Sequence, residues 1–140
     1  MILFPDTERL WLLIHPEGGP DALEFRRRIA HRLETGDRLA IAEICDYETR
    51  RELLRTEAHR QLANLEALIA AHIYVPLDTA TLREAASSWA KLHKDSGGDV
   101  DEAGIILATQ ARRHADDHMV LTEDHDALAP FCNAQDWWEV

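Results

Sequence analysis

The sequence predicts an α/β domain built around a mostly parallel sheet. Three observations carry that expectation. Short apolar runs at residues 2–4, 38–42, 73–77 and 118–122 alternate with longer segments of helical periodicity. Each run is short and apolar on both faces rather than at every second position, as in strands covered on both sides. The chain has 140 residues, which suits one domain of the usual ~100–150 residues and a core that needs no disulfide or structural metal. One domain over residues 1–140 is expected.

The elements follow in order. ILF, at residues 2–4, is a buried strand stopped by Pro5, and residues 8–14 allow one or two helical turns before the loop HPEGGP. Asp21 is placed to cap a helix running to about residue 35, with Leu23, Phe25, Ile29, Ala30 and Leu33 as its apolar face. RLAIA is the second strand, helices are expected over 43–56 and 58–71, and IYVPL is the third strand. Asp78 or Thr79 caps the next helix, with Leu82, Ala85, Ala86, Trp89, Ala90 and Leu92 facing inward, and KDSGGD breaks it. A helix over 101–113 rests on Ile105, Ile106, Leu107 and Ala108. HMVLT is the fourth strand, DALAPF a short helix, and the tail DWWEV a fifth, edge strand. Right-handed crossovers bring the carboxyl ends of such strands to one edge, and ligand chemistry belongs where strand order reverses.

Charge narrows the function classes. The formal net charge is −11, which opposes bulk attraction to a polyanion, so a nucleic-acid enzyme of this balance needs bound cations or a local basic patch. Arg26, Arg27, Arg28 and Arg32 form one basic group, and Arg50, Arg51, Arg55 and Arg60 another. Acids gather after residue 94: Asp95, Asp99, Asp101, Glu102, Asp116, Asp117, Glu123, Asp124 and Asp126. Cys45 and Cys132 lack CxxC spacing and read as free thiols of a reducing compartment. The N-terminus lacks a basic region and a cleavage motif, and no stretch reaches membrane-span length, so a cytoplasmic protein without membrane partners is expected.

Acidic residues recur where this topology would bring them together. Asp6 stands just past the first strand, Asp124 just past the fourth, and Glu48 about a turn into the helix after the second. Asp99, Asp101 and Glu102 stand at the start of the helix before strand four. Taken singly, each has an ordinary explanation as a cap or a helix ion pair. Converging carboxylates, however, cannot all ionise side by side without a compensating cation. Hard ions such as Mg²⁺ or Mn²⁺ take such oxygen ligands, activate water and neutralise charge developing on a phosphodiester.

The segments FPDT, IAEICDYETRRELL, AGIILATQA and VLTEDHDAL resemble, in order and spacing, the signature segments of PIN domains, especially small prokaryotic ones similar to VapC toxins. The resemblance spans residues 3–138. It implies a three-layer α/β/α fold with a central parallel sheet of four to five strands. It implies a divalent-metal-dependent endoribonuclease using Mg²⁺ or Mn²⁺, with RNA as substrate and a place as the toxin of a type II toxin–antitoxin pair. A small antitoxin protein and a homodimer are the implied partners, with residues 58–71 as candidate interface through Leu62, Leu65, Leu68 and Ile69. The family's acidic positions map onto Asp6, Glu48, an acid of the helix before strand four, and Asp124. One departure stands out: where the family usually has an aspartate, seven residues before Ala111, this chain has Gly104. Asp101, one turn earlier on that helix face, or Glu102 is then the expected fourth acid.

Other residues have competing readings. His114 and His118 are four apart, a metal-ligand spacing on a continuous helix, but the expected strand at 118 breaks that helix. His125, beside Asp124, reads as a substrate contact or a loop histidine. Arg50 and Arg51 read equally as substrate contacts and as helix ion pairs. Thr7 and Thr122 flank site acids and can hold a carboxylate in place. The alternative to a nuclease is a PIN-like module that binds RNA or a protein without cutting. A phosphatase using Asp6 as nucleophile ranks below both, because Thr7 and Glu8 follow Asp6 where a D-x-D would be needed.

Overall fold

Five parallel strands form one sheet in the order β3-β2-β1-β4-β5. A computed structural model describes residues 1–15, 17–95 and 100–140. The strands are β1 (Ile2–Pro5), β2 (Arg38–Ala42), β3 (Ile73–Val75), β4 (His118–Leu121) and β5 (Ala134–Gln135). Among the described residues the helices are α1 (Thr7–Ile14), α2 (Gly19–Glu34), α3 (Glu43–Arg55), α4 (His59–Ala71), α5 (Thr79–Asp95), α6 (Glu102–His114) and α7 (His125–Leu128). Asp99, most of KDSGGD, and Pro16 of the HPEGGP loop lie outside the described residues.

The chain builds β1, β2 and β3 outward in one direction, then returns to lay β4 and β5 on the other side of β1. Strand order therefore reverses between β1 and β4, which pair from Ile2↔His118 to Pro5↔Leu121. α1 packs with α2, α3 and α4, while α5 packs on α6. With right-handed crossovers these two groups cover opposite faces of the sheet. The result is the three-layer α/β/α arrangement expected of a PIN-like fold.

Burial explains why the strand centres are apolar on both faces. Leu3, Phe4, Ala40, Ile41, Ala42, Val120 and Leu121 are all fully enclosed, and each large side chain among them contributes roughly 1.5–3 kcal/mol by leaving water. Helix ends are set by local chemistry. Asp78 Oδ1 accepts the Thr81 N–H at 2.7 Å and opens α5. After α2, Gly36 adopts φ +106°, a left-handed turn that favours glycine. Across it, the N–H groups of Gly36 and Asp37 donate back to the carbonyls of Leu33 and Arg32. α6 is tied to the sheet through buried Gln110, whose amide donates to the Val75 carbonyl at 2.8 Å.

Several local expectations are corrected. The fifth strand is Ala134–Gln135, and the DWWEV tail instead forms a 3₁₀ turn at Trp137–Glu139. Trp137 turns inward, 2% exposed, edge-on to Phe25, so burying its ring outweighs extending the sheet. Leu23, Leu82 and Trp89, expected inward, are exposed at 66%, 45% and 42%, because each helix buries a narrower stripe than its apolar residues span. α2 begins at Gly19, with Pro20 in its first turn, so Asp21 lies inside the helix and does not cap it. In α4, Leu65 is buried, and Leu62, Leu68 and Ile69 pack on the chain's own core. These three remain partly buried.

Candidate active site

The carboxyl ends of β1 and β4 open into a cavity of about 560 Å³. Its wall includes Asp6, Thr7, Cys45, Glu48, Asp101, Gly104, Thr122 and Asp124. Such a cavity, at the reversal of strand order, is where an open parallel sheet places its ligand chemistry.

Asp6 is fixed from several directions. Its N–H donates to the Leu121 carbonyl at 3.1 Å, which joins the two strand ends. Its Oδ1 accepts the Arg9 N–H at 2.8 Å and so caps α1. Burial pushes the Asp6 carboxyl above the usual aspartate range, while Arg9 and the Thr122 hydroxyl act against that rise. Thr122 is itself buried, and its Oγ1 accepts the Asp124 N–H at 3.0 Å. One threonine hydroxyl thereby links the loop that carries Asp124 to Asp6.

Glu48 reaches the cavity from α3. The Thr7 hydroxyl donates to its Oε1 at 2.6 Å, and Arg51 Nη2 stands 3.9 Å from its Oε2. Cys45, one turn earlier, lines the same wall, but complete burial pushes its thiol far above the usual range. It is not a nucleophile there. The other acids of α3 are used elsewhere. Glu43 accepts the Leu77 N–H at 2.7 Å, and Asp46 accepts the Tyr74 hydroxyl at 2.7 Å.

The far wall is α6. Asp101 occupies its N-cap position, yet its side chain caps no backbone N–H, and it lines the cavity. Asp124, at the N-cap of α7, likewise caps no N–H through its side chain. Glu102 does not line the cavity. It lies along a separate groove with Leu82, Ala85, Trp89 and Ile106, as expected one helical step, about 100°, away from Asp101. A Cβ added at Gly104 would meet only Leu128, at 3.4 Å.

Arg9 had no functional reading in the sequence. It is 4% exposed, and its guanidinium faces Asp6 at 3.7 Å, Glu8 at 2.7 Å and Glu123 at 3.5 Å. Its Nε and Nη1 lack hydrogen-bond partners. A basic residue inside an apolar turn, three after Asp6, was the available signal. His114 and His118 do not converge: His114 stands edge-on to the Phe4 ring. His118 is buried, with Nδ1 on the Ala115 carbonyl and Nε2 accepting the Asn133 N–H. Arg50 is paired with Asp46 and Glu66.

The donor set suits a hard divalent cation in kind, since five carboxylates (Asp6, Glu8, Glu48, Asp101 and Asp124) and two hydroxyls line the cavity, and the one thiol there, Cys45, is buried and protonated. Among the described residues, no three His, Cys, Asp or Glu side chains stand close enough to form a finished metal cage. The cavity is wide, and Asp101 and Asp124 are exposed and uncommitted as caps. The set therefore fits by donor chemistry, with Asp101 and Asp124 uncommitted as caps on its helical side.

This chain has a PIN-like α/β/α fold. Among solved structures, a chain of the DNA-bound VapBC complex from Salmonella typhimurium superposes with a TM-score of 0.77 at 21% identity, over 98% of each chain. VapBC2 from Rickettsia felis, bound to a DNA fragment from their promoter, gives 0.76 at 14% identity, covering 98% of this chain and 99% of that one. FitAcB from Neisseria gonorrhoeae gives 0.69 at 19% identity over 100% of both. At these identities the likeness is one of fold. No family model matches the sequence, and no curated protein matches it. No described helix is long and apolar enough to cross a membrane.

Proposed function

We propose that this chain is a divalent-metal-dependent endoribonuclease, the toxin of a toxin–antitoxin pair. The observation that carries the reading is that Asp6, Glu48, Asp101 and Asp124 line one cavity at the β1–β4 strand ends. Complexes named VapBC and FitAB as fold neighbours along the whole chain support the toxin assignment and a small antitoxin as partner. A homodimer is proposed on the resemblance, and mass by light scattering checks it.

Asp6, Glu48, Asp101 and Asp124 would hold Mg²⁺ or Mn²⁺, which supplies positive charge to a phosphodiester and lowers the pKa of water. Thr7 orients Glu48, and Thr122 holds the Asp6 and Asp124 loops in register. Arg9 offsets the Asp6 charge before any cation arrives. The test is cleavage of a generic single-stranded RNA with Mg²⁺ or Mn²⁺. The reading expects cleavage that a chelator abolishes and that Asp6→Asn lacks.

Gly104 favours a second reading, a PIN-like module that binds RNA or a partner without cutting. In that case the wild type binds and does not cleave, and Gly104→Asp gains cleavage.

A further inference from the structure

We infer that Tyr47 and Arg51 form a subsite for an unstacked base and its phosphate beside the carboxylate cavity. The inference rests on the ribonuclease reading and specifies how that site takes its substrate.

The geometry links the pair to the site in two contacts. Arg51 stands 3.9 Å from Glu48, a cavity acid. Its guanidinium also lies over the Tyr47 ring, 5.5 Å from the centroid. Tyr47 is 57% exposed and the Arg51 side chain 60%. Tyr47 does not itself line the cavity; Arg51, in contact with both its ring and Glu48, sets it beside the site. Trp138 instead stacks on Trp137, with Arg28 over its ring. Trp89 stacks on His93 and lines the α5–α6 groove.

The charge balance gives the pair a task. The site is ringed by carboxylates on a chain of net charge −11, so a polyanion needs fixed cations close to the cavity. Most cations of α3 are committed. Arg50 is taken by Asp46 and Glu66, and Arg55 by Glu52. Arg51 stands at the outer limit of an ion pair with Glu48, is 60% exposed and otherwise feels Glu52 at longer range. It can meet a backbone phosphate while the ring beneath it offers a face to a base. Aromatic faces with neighbouring arginines are the general means of holding single strands without sequence readout. A duplex, whose bases are already stacked, cannot use the ring.

The experiment measures binding of a fluorescein-labelled single-stranded RNA by anisotropy, in EDTA so that cleavage does not interfere. Tyr47→Ala is expected to weaken binding about tenfold. Tyr47→Trp is expected to retain it and Tyr47→Leu is not, a pattern that a merely apolar role would not produce. Arg51→Ala should reduce the slope of log affinity against log salt by about 0.7, one phosphate contact on a single strand. Melting temperatures should not move, since both side chains are exposed. Wild-type affinity in Tyr47→Ala and Tyr47→Leu, equal competition by duplex RNA, or no RNA binding by the wild type would each overturn the subsite. Binding with this pattern but no metal-dependent cleavage would leave the subsite standing and remove the nuclease reading.

Discussion

The two walls of the acidic cavity are built in different ways. On the sheet side, Asp6 is half-buried at a strand end, caps α1, faces Arg9 and has the Thr122 hydroxyl acting on its carboxyl. On the helical side, Asp101 and Asp124 start helices, lie open to solvent and cap nothing with their side chains. Gly104 offers no side chain there at all. The sheet wall is preorganised at the expense of desolvating a carboxylate, while the α6 wall keeps its charge hydrated and adjustable. Rigid positions should therefore carry the largest effects, and α6 should be where activity can be gained as well as lost.

Asp6→Asn tests the rigid wall and has the largest expected effect. It should reduce metal-dependent cleavage at least about a hundredfold, more than loss of a supporting partner usually costs. It should also erase the rise in melting temperature produced by Mg²⁺ or Mn²⁺. In the absence of metal the same variant should be more stable than wild type at neutral pH. The folded-state carboxyl of Asp6 is raised above its unfolded value, so the folded protein holds that proton more tightly. Stability tied to the proton is present below the unfolded aspartate value and lost as pH rises through the folded one. The advantage of the asparagine variant should accordingly vanish in thermal melts below about pH 4. Asparagine also caps helices well, so α1 is not disturbed.

Thr7→Val comes next. It removes the hydroxyl that orients Glu48 and should lower metal affinity about tenfold by calorimetric titration. An unchanged affinity would mean that Glu48 needs no help. Arg9→Met should destabilise the protein by roughly 2 kcal/mol in urea melts, by leaving Asp6 without its buried partner. In an Asp6→Asn background most of that cost should disappear, and a cost that persisted would assign Arg9 a packing role alone.

The adjustable wall is read by three changes with smaller or opposite effects. Asp101→Asn should lower cleavage about tenfold if Asp101 supplies the fourth acid, whereas Glu102→Gln, which faces another groove, should leave it unchanged. Gly104→Asp should raise cleavage or metal affinity severalfold, because Gly104 lines the cavity and a Cβ added there meets only Leu128, at 3.4 Å. A loss of activity in Gly104→Asp would show that the open wall is needed as it stands.

Much of this architecture was legible in local sequence. Continuous apolar runs marked strands covered on both faces, and β1 to β4 lie where those runs are. Asp6 and Asp124 were conspicuous because each follows such a run. Glu48 was visible through the resemblance, and Gly104 as a departure from it. Sequence alone thus determined the alternation of strands and helices and the positions of the strand-end acids, since each depends on neighbours within a turn or a strand. Only the tertiary structure decided which acids share a cavity. Asp101 and Glu102 are adjacent in the chain, and the packing of α5 on α6 sends one to the site and the other to a groove. It also decided that Arg9 is buried against Asp6 and that Trp137 closes the core instead of extending the sheet. Those outcomes depend on burial between segments far apart in sequence, where desolvation and the space available select one orientation, and no local pattern records them.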